Sequence, residues 1–96
     1  MTIGVLATVT VAEGQGETFE TLFAAQAAKV RANEPANRLY QLLRSRKTPG
    51  VYVVMEIYDD DAALDAHRAS AHMAEGRPKI GPLLAGPTQV EVLDAV

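Results

Sequence analysis

The eight residues VYVVMEIY, Val51 to Tyr58, are apolar on both faces. Side chains alternate along a strand, so Val51, Val53, Met55 and Ile57 point one way and Tyr52, Val54, Glu56 and Tyr58 the other. An antiparallel strand with one wet face alternates cleanly between apolar and polar. This strand needs cover on both sides. A chain of 96 residues has little beyond one layer of helices to offer. The free face therefore calls for a second subunit.

The neighbouring segments supply the first layer. TIGVLATVTV reads as a strand with Ile3, Val5, Ala7, Val9 and Val11 on one face. AEGQGE is a turn; its GQG lacks the third glycine of a dinucleotide fingerprint. Phe19, Leu22, Phe23, Ala27 and Val30 form one stripe at helical period, which predicts a helix over 17–33. Glu17 and Glu20 suit its positive end and Lys29 and Arg31 its negative end, and Pro35 closes it. NRLYQLLRS is a strand joined to VYVVMEIY by a short Pro-Gly connection, which predicts an antiparallel hairpin. An aspartate of DDDAALDAH caps a second helix. MAEGRPKIGPLLAGP holds three glycines and three prolines, so no long regular helix is expected there. TQVEVLDAV closes the chain as a strand with Val90 and Val92 on one face. The order β-α-β-β-α-β predicts one α+β domain over 1–96, a ferredoxin-like four-stranded antiparallel sheet with helices on one face. That fold hosts many unrelated functions.

Composition removes several function classes. Net charge is −3, and the basic residues are scattered apart from Arg44, Arg46 and Lys47 at the hairpin turn, so no nucleic-acid surface is expected. The absence of cysteine excludes disulfides, thiolate metal sites and thiol nucleophiles, and it fits a cytoplasmic location. No apolar run approaches the roughly 20 residues that span a bilayer, so no membrane partner is expected.

The stretch EPANRLYQLLRSRKTPGVYVVMEIYDDDAALDAHRASAHM, residues 34–73, resembles the middle of the antibiotic biosynthesis monooxygenase family. The family pattern is Glu-Pro-Gly, a tyrosine, a hairpin whose second strand ends in Glu-x-aromatic, then Ala-Leu-x-x-His-x-x-Ser-x-His. It falls here on Glu34-Pro35, Tyr40, Pro49-Gly50, Glu56-Ile57-Tyr58 and Ala63 to His72. The resemblance implies a homodimer whose sheets pack face to face into an α+β barrel, with a small apolar cavity between each sheet and its helices. Members of the family include oxygenases that act on quinols and anthrone-like phenols without flavin or metal, haem-degrading proteins, and proteins that process a phosphorylated signalling sugar. The chain departs from the pattern in having Ala36 for the usual glycine and no tryptophan, which argues against the haem-degrading branch and weakens the anthrone branch. Gly76, Pro78, Gly81 and Pro82 interrupt what is often a longer helix, leaving either a lid or an irregular connection over 74–86.

Both histidines lie in ALDAHRASAH, five residues apart. Successive helix residues turn by about 100°, so this spacing sets His67 and His72 about 140° apart, whereas a helical metal pair needs a spacing of three or four. Neither Asp65 nor Glu75 obviously converges on them, so no metal site is expected. RAS can end one helix, and Ser70 is a good N-cap for the next. His67 would then sit at a helix C-terminus, where the dipole favours imidazolium, and His72 at an N-terminus, where it favours the neutral ring.

These placements give the candidate residues their roles. His72 is the preferred base; His67, Tyr40 and Asn37 are the preferred donors to a developing oxyanion. Each also has a structural reading: a histidine packed at a helix–sheet junction, a core tyrosine, turn chemistry at Asn37. Glu56, a charge on an apolar strand, is expected to pair structurally, for instance with an arginine across the dimer. Phe19, Phe23, Met73 and Tyr58 are candidates for the wall that contacts a small aromatic substrate. The expected chemistry is cofactor-free oxygenation of an electron-rich phenol or quinol, with molecular oxygen as co-substrate and no other cofactor. A non-catalytic binding or stress-linked accessory dimer, and an isomerase or lyase of a small carbonyl compound, are the alternatives.

Overall fold

The computed structural model describes all of residues 1–96. Strand β1 (Ile3–Thr10) leads into helix α1 (Gly16–Asn33), then strands β2 (Asn37–Arg44) and β3 (Val51–Tyr58). Helices α2 (Asp61–Ala69) and α3 (Ala71–Ile80) follow, then a 3₁₀ turn (Gly81–Leu83) and strand β4 (Gln89–Asp94). The sheet order is β2-β3-β1-β4, with every pair antiparallel, so the chain has the ferredoxin-like α+β fold.

The register carries the two-faced pattern of β3 into the third dimension. Val5 pairs with Glu56, Ala7 with Val54 and Val9 with Tyr52. These residues face the helices together with Tyr40 of β2, which pairs with Glu56. The stripe on α1 closes over them: Phe19, Phe23, Ala27 and Val30 are buried. Phe19 packs on Tyr52 with ring centroids 4.9 Å apart, and Phe23 stacks on Tyr40 at 5.5 Å. Burying one such side chain contributes about 1.5–3 kcal/mol, so these rings are the main anchor of α1 on the sheet. A second cluster of Ile3, Val5, Tyr58 and Leu64 holds α2 at the other end.

The hairpin forms as expected, across a six-residue connection from Ser45 to Gly50. Ser45 Oγ accepts from the amides of Lys47 and Thr48 at 3.1 and 3.0 Å. Gly50 has φ +80°, and its carbonyl accepts from Val11 N at 2.7 Å; a Cβ there would meet Val11 O at 2.9 Å. Position 50 is therefore glycine for two reasons, sign of φ and space.

The helix break falls at Ser70. Asp60 caps α2 through Ala63 N, and Ser70 caps α3 through Met73 N. One expectation fails next to it. α3 runs ten residues straight through Gly76 and Pro78, although the composition argued against a regular helix. Proline removes only one N–H, the bond to Ala74, and the following 3₁₀ turn then absorbs Pro82 at its start. Gly76 is buried because α3 approaches α1 there, and a Cβ would sit 2.2 Å from Gln26 Oε1.

The outer sheet face has no helix. Leu43 is 43% exposed and Met55 38%, with Leu39 and Leu93 similarly bare. All six residues of β4 are exposed, including Val90 and Val92, which share the helix side of the sheet. No helix is long and apolar enough to cross a membrane.

Replacing Gly76 by alanine forces Gln26 out of its position and separates α1 from α3. Urea denaturation of Gly76→Ala should show a loss of about 1–3 kcal/mol, typical of overpacking, with an unchanged m-value.

Candidate active site

Glu34 is where the fold gathers its polar chemistry. It caps the C-terminus of α1, the end of a helix where a carboxylate is disfavoured by the dipole. Its compensation comes from two imidazoles. His67 Nδ1 donates to Glu34 Oε2 at 2.8 Å and lies 3.0 Å from Oε1, and His72 Nε2 donates to the same Oε2. Side-chain exposures are 11% for Glu34, 5% for His67 and 12% for His72, so this is a largely dry cluster. A carboxylate only accepts, hence both nitrogens that meet it carry hydrogen. Ser70 completes the arrangement: its hydroxyl donates to His67 O at 2.7 Å and lies 3.1 Å from His72 Nε2.

This overturns the spacing argument about the histidines. Five residues on one helix would turn the rings apart, but the extended backbone at Ser70 (ψ 152°) starts a second helix in a new direction. The ring centroids end 6.4 Å apart. The opposite helix ends expected for His67 and His72 are both present, and they meet on one carboxylate. The premise for excluding a metal falls with it. Glu34, His67 and His72 place three ligand atoms within 4.8 Å of one another and are the set that could hold a divalent ion.

His67 lines a cavity of about 390 Å³ between the sheet and the three helices. Phe19, Phe23 and Met73 line it, and Tyr40, Val54 and Glu56 form its sheet side. The Tyr40 ring stands 5.5 Å from that of His67. Three candidates are placed elsewhere. His72 is not on the cavity wall; its Nε2 is taken up by Glu34 and Ser70. Asn37 lies at the irregular start of β2, outside the cavity, with its amide donating to Leu39 O at 3.0 Å. Tyr58 is wholly buried behind the cavity, its hydroxyl donating to Glu56 Oε1 at 2.6 Å.

Glu56 also corrects an expectation. Its partner is Tyr58 rather than an arginine, and its Oε1 lies 3.9 Å from His67 Nε2. Burial pushes its carboxyl above the ordinary range; the Tyr58 bond and the nearby His67 and Arg68 oppose this without cancelling it. Burial, with Glu56 and then Glu34 adding to it, raises Tyr40 well above an ordinary phenol, while Arg77 pulls the other way. Burial and the Glu56 bond raise Tyr58 further. Both phenols therefore remain neutral donors at physiological pH.

Glu34 was named only as part of the family pattern and Gln26 not at all; neither was a site candidate, though each left a trace. Glu34 stands at the wrong end of a helix for its charge. Gln26 falls on the apolar stripe of α1; it is buried and donates to His72 O at 2.9 Å, joining α1 to α3.

Glu56 makes stability pH-dependent with a definite sign. Its folded pKa lies above its unfolded value, so its favourable contribution is complete below the unfolded value, about 4.3, and is lost as pH rises through the folded value. Glu56→Gln keeps an acceptor for Tyr58 without a titrating charge. Urea denaturation between pH 4 and 7 should show the variant gaining stability relative to wild type as pH rises; a constant difference would contradict this.

With this geometry in hand, comparison with known proteins is specific. Residues 2–79 match the antibiotic biosynthesis monooxygenase family. No curated protein matches the sequence. Among solved structures, a candidate antibiotic biosynthesis monooxygenase from Caulobacter crescentus CB15 is similar at 42% identity and TM-score 0.96, covering 99% of this chain and 90% of that one. Rv0793 from Mycobacterium tuberculosis is similar at 30% identity and TM-score 0.89, covering 100% and 96%. PA3566 from Pseudomonas aeruginosa reaches 26% identity and TM-score 0.86, covering 99% and 94%. The family match spans most of the chain, and relatives at 30% identity or more cover nearly all of it: this chain belongs to the antibiotic biosynthesis monooxygenase family.

Proposed function

We propose that the protein is a monooxygenase that oxidises a small phenolic or quinol substrate with molecular oxygen, using neither flavin nor metal. The observation that carries this reading is the Glu34–His67 pair beside an apolar cavity. Glu34 holds the hydrogen on Nδ1, which leaves the lone pair on Nε2 of a ring that lines the cavity, the arrangement a general base needs. The base is therefore His67, in place of His72, which becomes a second support for Glu34. Tyr40 is the donor to the substrate oxyanion, and Phe23 and Met73 hold the ring and exclude water.

For a phenol with an activated ring CH₂, the steps balance without another reductant. His67 takes a proton, and the resulting anion passes electrons to oxygen. A carbon hydroperoxide forms, and loss of water leaves a carbonyl. One oxygen atom stays in the product and the other leaves as water; all the electrons come from the substrate. Oxygen uptake with a panel of anthrones and quinols tests this. His67→Ala should reduce the rate by about 10²–10⁴-fold and Tyr40→Phe by about 100-fold, with Asn37→Ala unchanged. No uptake by the wild type, or equal uptake by His67→Ala, would remove the reading.

Under the same reading the protein works in the cytoplasm as a homodimer joined through the outer sheet faces. Support comes from the apolar strip of Leu39, Leu43, Met55 and Leu93, which no helix covers. Sedimentation equilibrium should give the mass of two chains for the wild type and of one for Leu43→Lys/Met55→Lys; a monomeric wild type would contradict it.

A further inference from the structure

The cavity wall carries two solvent-exposed cations that take part in no ion pair. Arg68 stands at the end of α2 and Arg77 in α3, and both line the cavity. Of the other arginines, Arg31 donates to Tyr40 O, Arg38 pairs with Asp59 and Arg44 with Glu20, while Arg46, at the hairpin turn and not on the cavity, has no ion pair. Arg68 and Arg77 take part in no ion pair. Glu75, two positions from Arg77, is drawn to Lys29 instead. Asp65, one turn before Arg68, makes no ion pair with it.

Arg77 is nevertheless positioned. Its Nη2 donates to Arg68 O at 2.6 Å, which ties the guanidinium back across the α2–α3 corner and leaves its remaining N–H groups unengaged. The positive pair stands out in a chain of net charge −3. The carboxylates on the inner side do not answer it. Glu34 is occupied by two imidazoles, and Glu56 by the Tyr58 hydroxyl.

An uncharged aromatic ligand would fill the apolar wall and leave both exposed guanidinium groups to water. A ligand with a carboxylate at one end would use the fork geometry of arginine as well. We infer that the substrate is a hydroxyaryl carboxylic acid, oriented with its phenol toward Tyr40 and His67 and its carboxylate toward Arg68 and Arg77. A volume near 390 Å³ is at the small end for ligand pockets and suits one or two fused rings.

This inference rests on the cavity being the substrate site, and it is tested by binding alone. Isothermal titration calorimetry under nitrogen, on the full chain, would compare a hydroxynaphthoate with the corresponding naphthol. Expected is roughly tenfold or more tighter binding of the acid, an advantage that shrinks with added salt. Arg68→Gln/Arg77→Gln, shown folded by circular dichroism, should bind both compounds alike. Equal binding to wild type, or an acid preference that survives in the double variant, would overturn the inference. Tighter binding of naphthyl phosphate than of the acid would overturn the carboxylate assignment. Acid-selective binding without oxygen uptake would support this inference while removing the oxygenase reading.

Discussion

A single buried carboxylate connects the parts of this protein that carry its chemistry. Glu34 ends α1, His67 ends α2 and His72 begins α3, so the two hydrogen bonds to Glu34 join three helices at one point. An ion-type cluster in a dry setting is weak evidence for net stability, because desolvation offsets much of the attraction. What it does supply is orientation. Removing the carboxylate would leave two buried imidazole N–H groups without acceptors, so ring direction and helix packing depend on each other.

The consequence for the cavity is an ordered division of labour. Glu34 and His72 lie behind His67, which alone of the two histidines meets the cavity. Burial keeps Tyr40 a neutral donor and shifts Glu56 toward its neutral form, which lowers the charge presented at the inner end of the cavity. On the cavity wall, the cations without an ion-pair partner are Arg68 and Arg77. Under the proposed reading such a site orients a ligand from both ends, apolar along the middle and polar where specificity is set.

The sheet's two faces are used differently. On one, aromatic residues from α1 interlock with Tyr40 and Tyr52 and build a core dense enough to frame a cavity. On the other, half-buried and exposed aliphatic side chains lie flat and unlayered. Both follow from period-two alternation along β3, where neither set is polar.

Strand periodicity, the α1 stripe, the hairpin and the break at Ser70 could all be read from the sequence, because each depends on residues within a few positions of one another. So could the wall residues Phe19, Phe23 and Met73 and the strand position of Tyr40. What could not be read was where side chains meet. The sequence separation of His67 and His72 pointed to divergent rings, but a change of helix direction at one extended residue reversed that. Glu34 is 33 residues from His67 and 38 from His72, and no local pattern encodes a contact at that range. The same holds for Asn37 and Tyr58, whose residue types suit a site while the bulge of β2 and the burial of β3 put them outside it. Local sequence determined the elements and their faces; only the packing of three helix ends against one sheet decided which histidine reaches the cavity and which supports it.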